Sequence, residues 1–255
     1  MSVDFVTMAD DNCYRRLLAE FHKRGNYGVM FRNAMDDVAG KMVLSRVKSC
    51  VAFGTGSGER EIDLTRRLLP NLRSFQAVEI DPDSVKALQV AFRDNQLPGV
   101  DASVVETSLE RWSGVDNPVD AVLFVNMLPH VHTGDRKALF QKLLTTYLSP
   151  AGIIVIVDRI RSIPSGFVML KKRLGILTDG YEEMEKDLLD VGFRVLLTHD
   201  FRTRLDLASP SDDIVKFIQL LSGHKCSEQE VRTAIDDVFS QPNMDCLWKL
   251  AIFTK

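Results

Sequence analysis

The stretch Val51-Ala-Phe-Gly54-Thr-Gly56-Ser-Gly58-Glu59 decides how the rest of the chain is read. A short apolar run enters a turn with three glycines and leaves into residues 61–69, which have helical spacing. Glycine lets a backbone pass close to a ligand and adopt conformations that strain other residues. The spacing is GxGxG. The dinucleotide fingerprint GxGxxG would place Glu59 at its last glycine, where a carboxylate repels a pyrophosphate. A GxxxxGKS/T phosphate loop is also absent.

Working outward, apolar and β-branched runs recur at 75–80, 102–105, 119–125 and 152–157, and helical patterns lie between them at 83–94 and 135–148. Strand–helix alternation with near-continuous apolar strands predicts a parallel sheet covered on both faces. Later the pattern predicts helices at 164–174, 181–190 (closed by Gly192), 211–221 and 227–239, and strands at 193–198 and 247–253. Upstream, Cys13, Leu17, Leu18 and Phe21 share one face of a further helix. The expectation is a single domain over 1–255, with N-terminal helices in 1–46 and a helical insertion at 205–243 able to form a lid.

The second strand ends Val78-Glu79-Ile80-Asp81-Pro82. A carboxylate at a carboxyl strand end can accept both ribose hydroxyls of a nucleoside. Asp81 is the expected acceptor, and Glu79, two residues earlier on the same side, should sit deeper.

The composition bounds the rest. The 255 residues carry 32 Lys+Arg against 35 Asp+Glu, a net charge of −3, so no global basic field exists for wrapping nucleic acid. The longest apolar stretch, 151–157, is far short of the ~20 residues of a membrane helix. The start carries acids and lacks a signal-peptide pattern. Cys13, Cys50, Cys226 and Cys246 are scattered, which suggests a reduced, cytoplasmic setting and neither a metal site nor a disulfide framework.

The run Gly54-Thr-Gly-Ser-Gly58, then Asp81-Pro82, Glu106-Thr107-Ser108 and Val125-Asn126-Met127-Leu128, resembles the class I S-adenosylmethionine-dependent methyltransferases. Within that class the chain is similar to the histamine N-methyltransferases over nearly its whole length. The resemblance implies an α/β, Rossmann-like fold: a seven-stranded, mostly parallel sheet with helices on both faces and helical additions over the substrate side. It implies S-adenosyl-L-methionine as cofactor, held by Gly54, Thr55, Gly56 and Gly58, by Asp81 and Pro82, by Thr107 and Ser108 at the adenine edge, and by Val125. Asn126 falls where that family contacts the substrate amine. Two local alternatives stay open: Ser108 as an N-cap of a short helix, and Asn126 as an Asx-turn residue.

Methyl transfer from a sulfonium needs no covalent nucleophile, and the chain shows no convincing Ser/His/Asp or Cys/His arrangement. An amine acceptor must be neutral, so a base is useful. One of His130 and His132, in Leu128-Pro-His-Val-His-Thr133, is the candidate, with His130 first, as acid/base or substrate ligand or as a plain loop residue. Phe21, Tyr27, Phe31 and Phe167 are expected to wall the pocket, with cation–π attraction for a cationic substrate, or to be core. The acid that receives histamine aligns near Lys23 or Arg24, a pocket aromatic falls at Lys171, and a late amide falls near Cys246. These reversals point to an acceptor with an anionic group facing Lys23, Arg24 or Lys171, unless those bases are solvated surface charge. The expected protein is a monomeric N-methyltransferase for a small amine or amino-acid-like molecule, without nucleic-acid or membrane partners. Transfer to oxygen or a macromolecule, and a non-catalytic nucleoside-binding scaffold, are the alternatives.

Overall fold

The computed structural model describes residues 14–42, 44–176, 179–207, 209–239 and 244–255. Cys13, expected on the first helix face, lies outside them. Two helices open the described chain, α1 (Tyr14–Lys23) and α2 (Tyr27–Lys41). Then β1 (Ser49–Phe53), α3 (Glu59–Leu68), β2 (Ser74–Glu79), α4 (Pro82–Arg93), β3 (Asp101–Glu106) and β4 (Val119–Val125) alternate. Helix α5 (Thr133–Lys142) widens into π-turns over Leu143–Tyr147 and passes directly into β5 (Leu148–Arg159), so the single helix expected over 135–148 ends in a looser spiral. The chain continues through α6 (Gly166–Arg173), α7 (Tyr181–Asp190), β6 (Arg194–Leu205), α8 (Asp212–Leu221), α9 (Glu228–Val238) and β7 (Met244–Thr254).

The described strands form one seven-stranded sheet in the order β3-β2-β1-β4-β5-β7-β6. All pairings from β3 to β5 are parallel, and β7 runs antiparallel between β5 and β6. Strands β1, β4 and β5 have neighbours on both sides and helices on both faces, which is why their sequences read as unbroken apolar runs. Their alternate residues feed two cores. Ala52, Leu123 and Val155 pack with α2, α3, α6, α8 and α9; Phe53, Phe124 and Ile156 pack with α5, α7 and Trp112. Strand β3 is the edge and is half-exposed, as a strand with one neighbour should be.

The β6–β7 hairpin is much longer than its apolar runs predict. Phe201, Thr203 and Leu205 are buried while Arg202 and Arg204 are exposed, so period-two alternation continues through a stretch that looks polar on average. Trp248 Nε1 donates to Thr203 Oγ1 at 2.8 Å inside this hairpin.

The turn between α1 and α2 is tied to the end of β6. Asn26 N donates to the Arg204 carbonyl at 3.1 Å, Arg204 N to Asn26 Oδ1 at 2.7 Å, and Asp206 N to the Arg24 carbonyl at 2.8 Å. Gly25 is required there, because a Cβ would stand 2.8 Å from the Arg204 carbonyl oxygen.

Glu61, in the first turn of α3, is 3% exposed, and its pKa is pushed up to about 8, chiefly by burial with Glu79 and Glu59 adding to it. A folded-state pKa above the unfolded one means that stability is complete at low pH and falls as pH rises from 4.5 through 8. Glu61→Gln should therefore match the wild type below pH 4.5 and exceed it above pH 8 by roughly 2–3 kcal/mol in denaturant titrations.

Candidate functional site

Between β1 and β4 the strand order reverses direction, and a crevice opens outside their carboxyl ends. The glycine loop leads into it. Gly54, Gly56 and Gly58 all have positive φ, at 60°, 53° and 78°. Added Cβ atoms at Gly54 and Gly58 would lie 2.4 Å from Met127 Cγ and 2.2 Å from Leu88 Cδ2, so packing against protein excludes side chains there. A Cβ at Gly56 would meet nothing within 4 Å. The outer glycines serve the fold, whereas the middle one borders open space. Thr55 between them is buried, and its hydroxyl has no hydrogen-bond partner.

Glu79 organises this loop. Its Oε2 accepts the Gly56 amide at 2.6 Å, while Oε1 accepts the Ile80 and Asp81 amides at 2.8 and 2.9 Å. The carboxylate is 7% exposed, as its deeper position predicts. Asp81 has a different occupation. It is the N-cap of α4, with Pro82 at the first helical position, and Oδ2 accepts the Ser84 amide at 2.8 Å. Thr107 N donates to the Glu79 carbonyl at 2.9 Å, bringing the end of β3 to the same edge. Ser108 is followed by a turn rather than a helix, its carbonyl accepting the Trp112 amide at 3.0 Å.

At the end of β4, Val125 is buried and Asn126 takes a left-handed φ of 57°, a conformation asparagine tolerates better than most residues. Its backbone N–H goes to the Val157 carbonyl at 2.9 Å, and its Nδ2 donates to Tyr27 Oη at 3.2 Å. Asn126 Oδ1 is buried without a partner. Tyr27 is itself buried, with its pKa pushed up to about 12, so the hydroxyl keeps its proton. The Arg60 guanidinium lies 4.6 Å from the Tyr27 ring centroid and reaches His22 Nδ1 at 3.1 Å, so α1 is drawn over the start of α3.

His130 ends a short 3-10 turn, Leu128–His130, at the crevice mouth. It is exposed to solvent, and the protein crowding one side of the ring, followed by the charges of Lys171 and Arg159, lowers its pKa. The imidazole is neutral at pH 7, the form that accepts a hydrogen bond or a proton, so the acid/base reading and the plain loop reading of His130 both stand. His132 caps α5, with Nδ1 accepting the Gly134 amide at 3.2 Å.

The other expected substrate residues divide. Lys171 is half-buried, and burial and then Arg159 hold its pKa well below the ordinary value. Phe167 and Cys246 are buried beside it; burial raises the Cys246 pKa to about 11, opposed by Arg159 and Lys171. Phe31 stacks behind Tyr27 at 5.7 Å and is core. Lys23 is exposed and pairs with Glu20 at 2.6 Å, in the turn that the β6 tie holds. Arg24 belongs to that tie through its carbonyl. Sequence reasoning passed over Arg159, Trp248, Arg60 and His22, which converge on this crevice from four elements. No group of three potential metal ligands stands together among the described residues.

With this geometry in hand, comparison with known proteins is informative. Residues 51–152 match the family described as a methyltransferase domain. A Bacillus halodurans protein assigned as a methyltransferase superposes with a TM-score of 0.61, covering 87% of this chain and 98% of its own at 13% identity. The fold is that of the class I, S-adenosylmethionine-dependent methyltransferases. The N-methyltransferase NodS from Bradyrhizobium japonicum, in complex with S-adenosyl-L-homocysteine, gives 0.55 over 96% and 99% of the two chains at 15% identity. The cyclopropane synthase MmaA2 from Mycobacterium tuberculosis gives 0.54 over 87% and 82% at 15% identity, so the shared fold spans different acceptors. No curated protein matches the sequence, and the likeness to histamine N-methyltransferases rests on the motifs alone. No helix among the described residues is long and apolar enough to cross a membrane.

The glycines make separable predictions. Gly58→Ala should lower stability by more than about 1–2 kcal/mol, from left-handed strain plus the Leu88 clash. Gly56→Ala should cost only the strain, about 1–2 kcal/mol, yet abolish measurable S-adenosylhomocysteine binding in calorimetry by filling the open space.

Proposed function

We propose that the protein transfers a methyl group from S-adenosylmethionine to a nitrogen of a small amine or amino-acid-like molecule. One arrangement carries the reading: a glycine loop bordered by open space and braced by Glu79 meets Asn126, whose Oδ1 is buried and unpartnered, across the strand-order reversal. The residues fit the cofactor. Gly56, beside Thr55 in the loop that Gly54 and Gly58 shape, admits its methionine part, Thr107, Ser108 and Val125 border the adenine, and the end of β2 receives the ribose hydroxyls. When bound, S-adenosylmethionine supplies a methyl group activated by a positively charged sulfur.

We assign the ribose to Glu79 in place of Asp81. The Glu79 carboxylate lies against the loop, whereas Asp81 turns back to cap α4. Glu79→Gln should weaken S-adenosylhomocysteine binding by about 1.5–3 kcal/mol, the range for hydrogen bonds to a charged group. Asp81→Ala should instead cost about 1 kcal/mol of stability through the lost cap. Calorimetry in which only Asp81→Ala weakens the ligand would return the ribose to Asp81.

The chain's own contribution to catalysis is placement. Asn126 Oδ1 accepts an N–H of the amine, its orientation set by the Tyr27 bond, and neutral His130 offers a second acceptor at the mouth. Holding a lone pair in a near-attack geometry can supply about 7–11 kcal/mol. The charges of Lys171 and Arg159, which add to dehydration in lowering the His130 pKa, also favour a neutral amine. Methyl-transfer rates should therefore rise with pH as the acceptor amine deprotonates, without an inflection near 6.5. His130→Phe should lower kcat/KM and leave the inflection in place. An inflection at pH 6–7 that vanishes in this variant would show His130 taking the proton.

A further inference from the structure

Arg159 is the last residue of β5, two beyond Val157 and therefore on the same sheet face, and Val157 accepts the Asn126 amide. Its guanidinium lies 4.6 Å from the Phe167 ring centroid and 5.3 Å from that of Trp248. Trp248 in turn meets Tyr27 edge-on at 4.5 Å, and Tyr27 holds Asn126. One aromatic wall thus runs from the expected amine contact to Arg159.

Charge on this wall is unbalanced. Among the described residues Arg159 forms no ion pair, whereas its near neighbours in sequence and on β6, Arg161, Arg202 and Arg204, each have a carboxylate within 4.0 Å. Lys171 and His130 stand in its field, and both lose basicity through burial and its charge. The adjacent carboxylate, Asp158, belongs to the alternate face of β5; it is 2% exposed, and its Oδ1 accepts the Arg159 amide at 2.7 Å. A guanidinium with aromatic rings against it keeps its edge for in-plane hydrogen bonds, which match a planar carboxylate in a bidentate pair.

We propose that the methyl acceptor carries a carboxylate that Arg159 binds through its guanidinium edge, with Lys171 beside it, so that the substrate is an amino acid or a close analogue. This rests on the methyltransferase reading and narrows its substrate class. Arg159 is then the specificity-determining residue, and Lys23 and Arg24 have no part in it.

The test compares amino acids with their decarboxylated amines: histidine with histamine, phenylalanine with phenethylamine, and glycine with methylamine. Each is titrated calorimetrically into the full chain, with and without saturating S-adenosylhomocysteine. The carboxylate-bearing member of at least one pair should bind about tenfold or more tightly, equivalent to one hydrogen-bonded charge pair. Arg159→Gln should erase that preference, Arg159→Lys should restore part of it, and both variants should keep the S-adenosylhomocysteine affinity, which reports that they fold. Amines that bind as well as their amino acids, the absence of binding by all three amino acids, or a preference that survives Arg159→Gln would each overturn the proposal. Failure of the wild type to bind S-adenosylhomocysteine would instead overturn the methyltransferase reading, and the titrations without it still report on the carboxylate site.

Discussion

Three backbone amides point at one carboxylate, and the crevice depends on that arrangement. Glu79 binds the amides of Gly56, Ile80 and Asp81, joining the glycine loop after β1 to the end of β2. The loop residues stand in left-handed conformations, which on their own favour no single path. A buried carboxylate satisfied by N–H donors fixes one path and removes the cost of burying its own charge. The remaining features follow from this join. Gly58 can start α3 against Leu88, Gly54 can pass under Met127, and Gly56 is left facing space.

A second set of contacts closes the crevice from the other side. Tyr27 on α2 reaches Asn126 after β4, and Arg60 on α3 reaches His22 on α1. The cations Arg159 and Lys171 lie beyond, over Phe167. The site therefore has a neutral hydrogen-bonding end at Asn126 and a cationic end at Arg159, joined by aromatic rings. The fold by itself selects no acceptor, since solved structures that share it at 15% identity include an N-methyltransferase and a cyclopropane synthase.

Much of the sheet is legible in the sequence because central parallel strands are buried on both faces and must be apolar throughout. Strands β1, β4 and β5 follow that rule closely. The β6–β7 hairpin does not, because one of its faces is solvated and its arginines dilute the apolar signal; alternation at Phe201, Thr203 and Leu205 is the signal that finds it. Helix α2 has a buried stripe of Tyr27, Phe31, Ala34, Met35 and Val38 that the same 3.6-residue period would reveal. In the crevice, the glycines and the acids ending β2 can be read locally, but the choice between Glu79 and Asp81 depends on which side chain caps the next helix. Arg159, Trp248 and Tyr27 meet only through tertiary contacts, so spacing along the chain does not announce them. Lys23 shows the converse: its charge is plain in the sequence, but its pairing with Glu20 in a turn bonded to β6 is not.

The placement of β7 has a consequence for how the molecule is made. It is the last of the seven strands to leave the ribosome, yet it belongs between β5 and β6. Until Met244–Thr254 has emerged, β5 and β6 each present an unpaired, partly apolar border able to recruit a neighbouring nascent chain. Among the described strands β6 pairs with β7 alone, and only its end is held elsewhere, by the α1–α2 turn. Synthesis thus includes a vulnerable interval that ends when the final strand slots in, and a holding chaperone would be of most use during that interval.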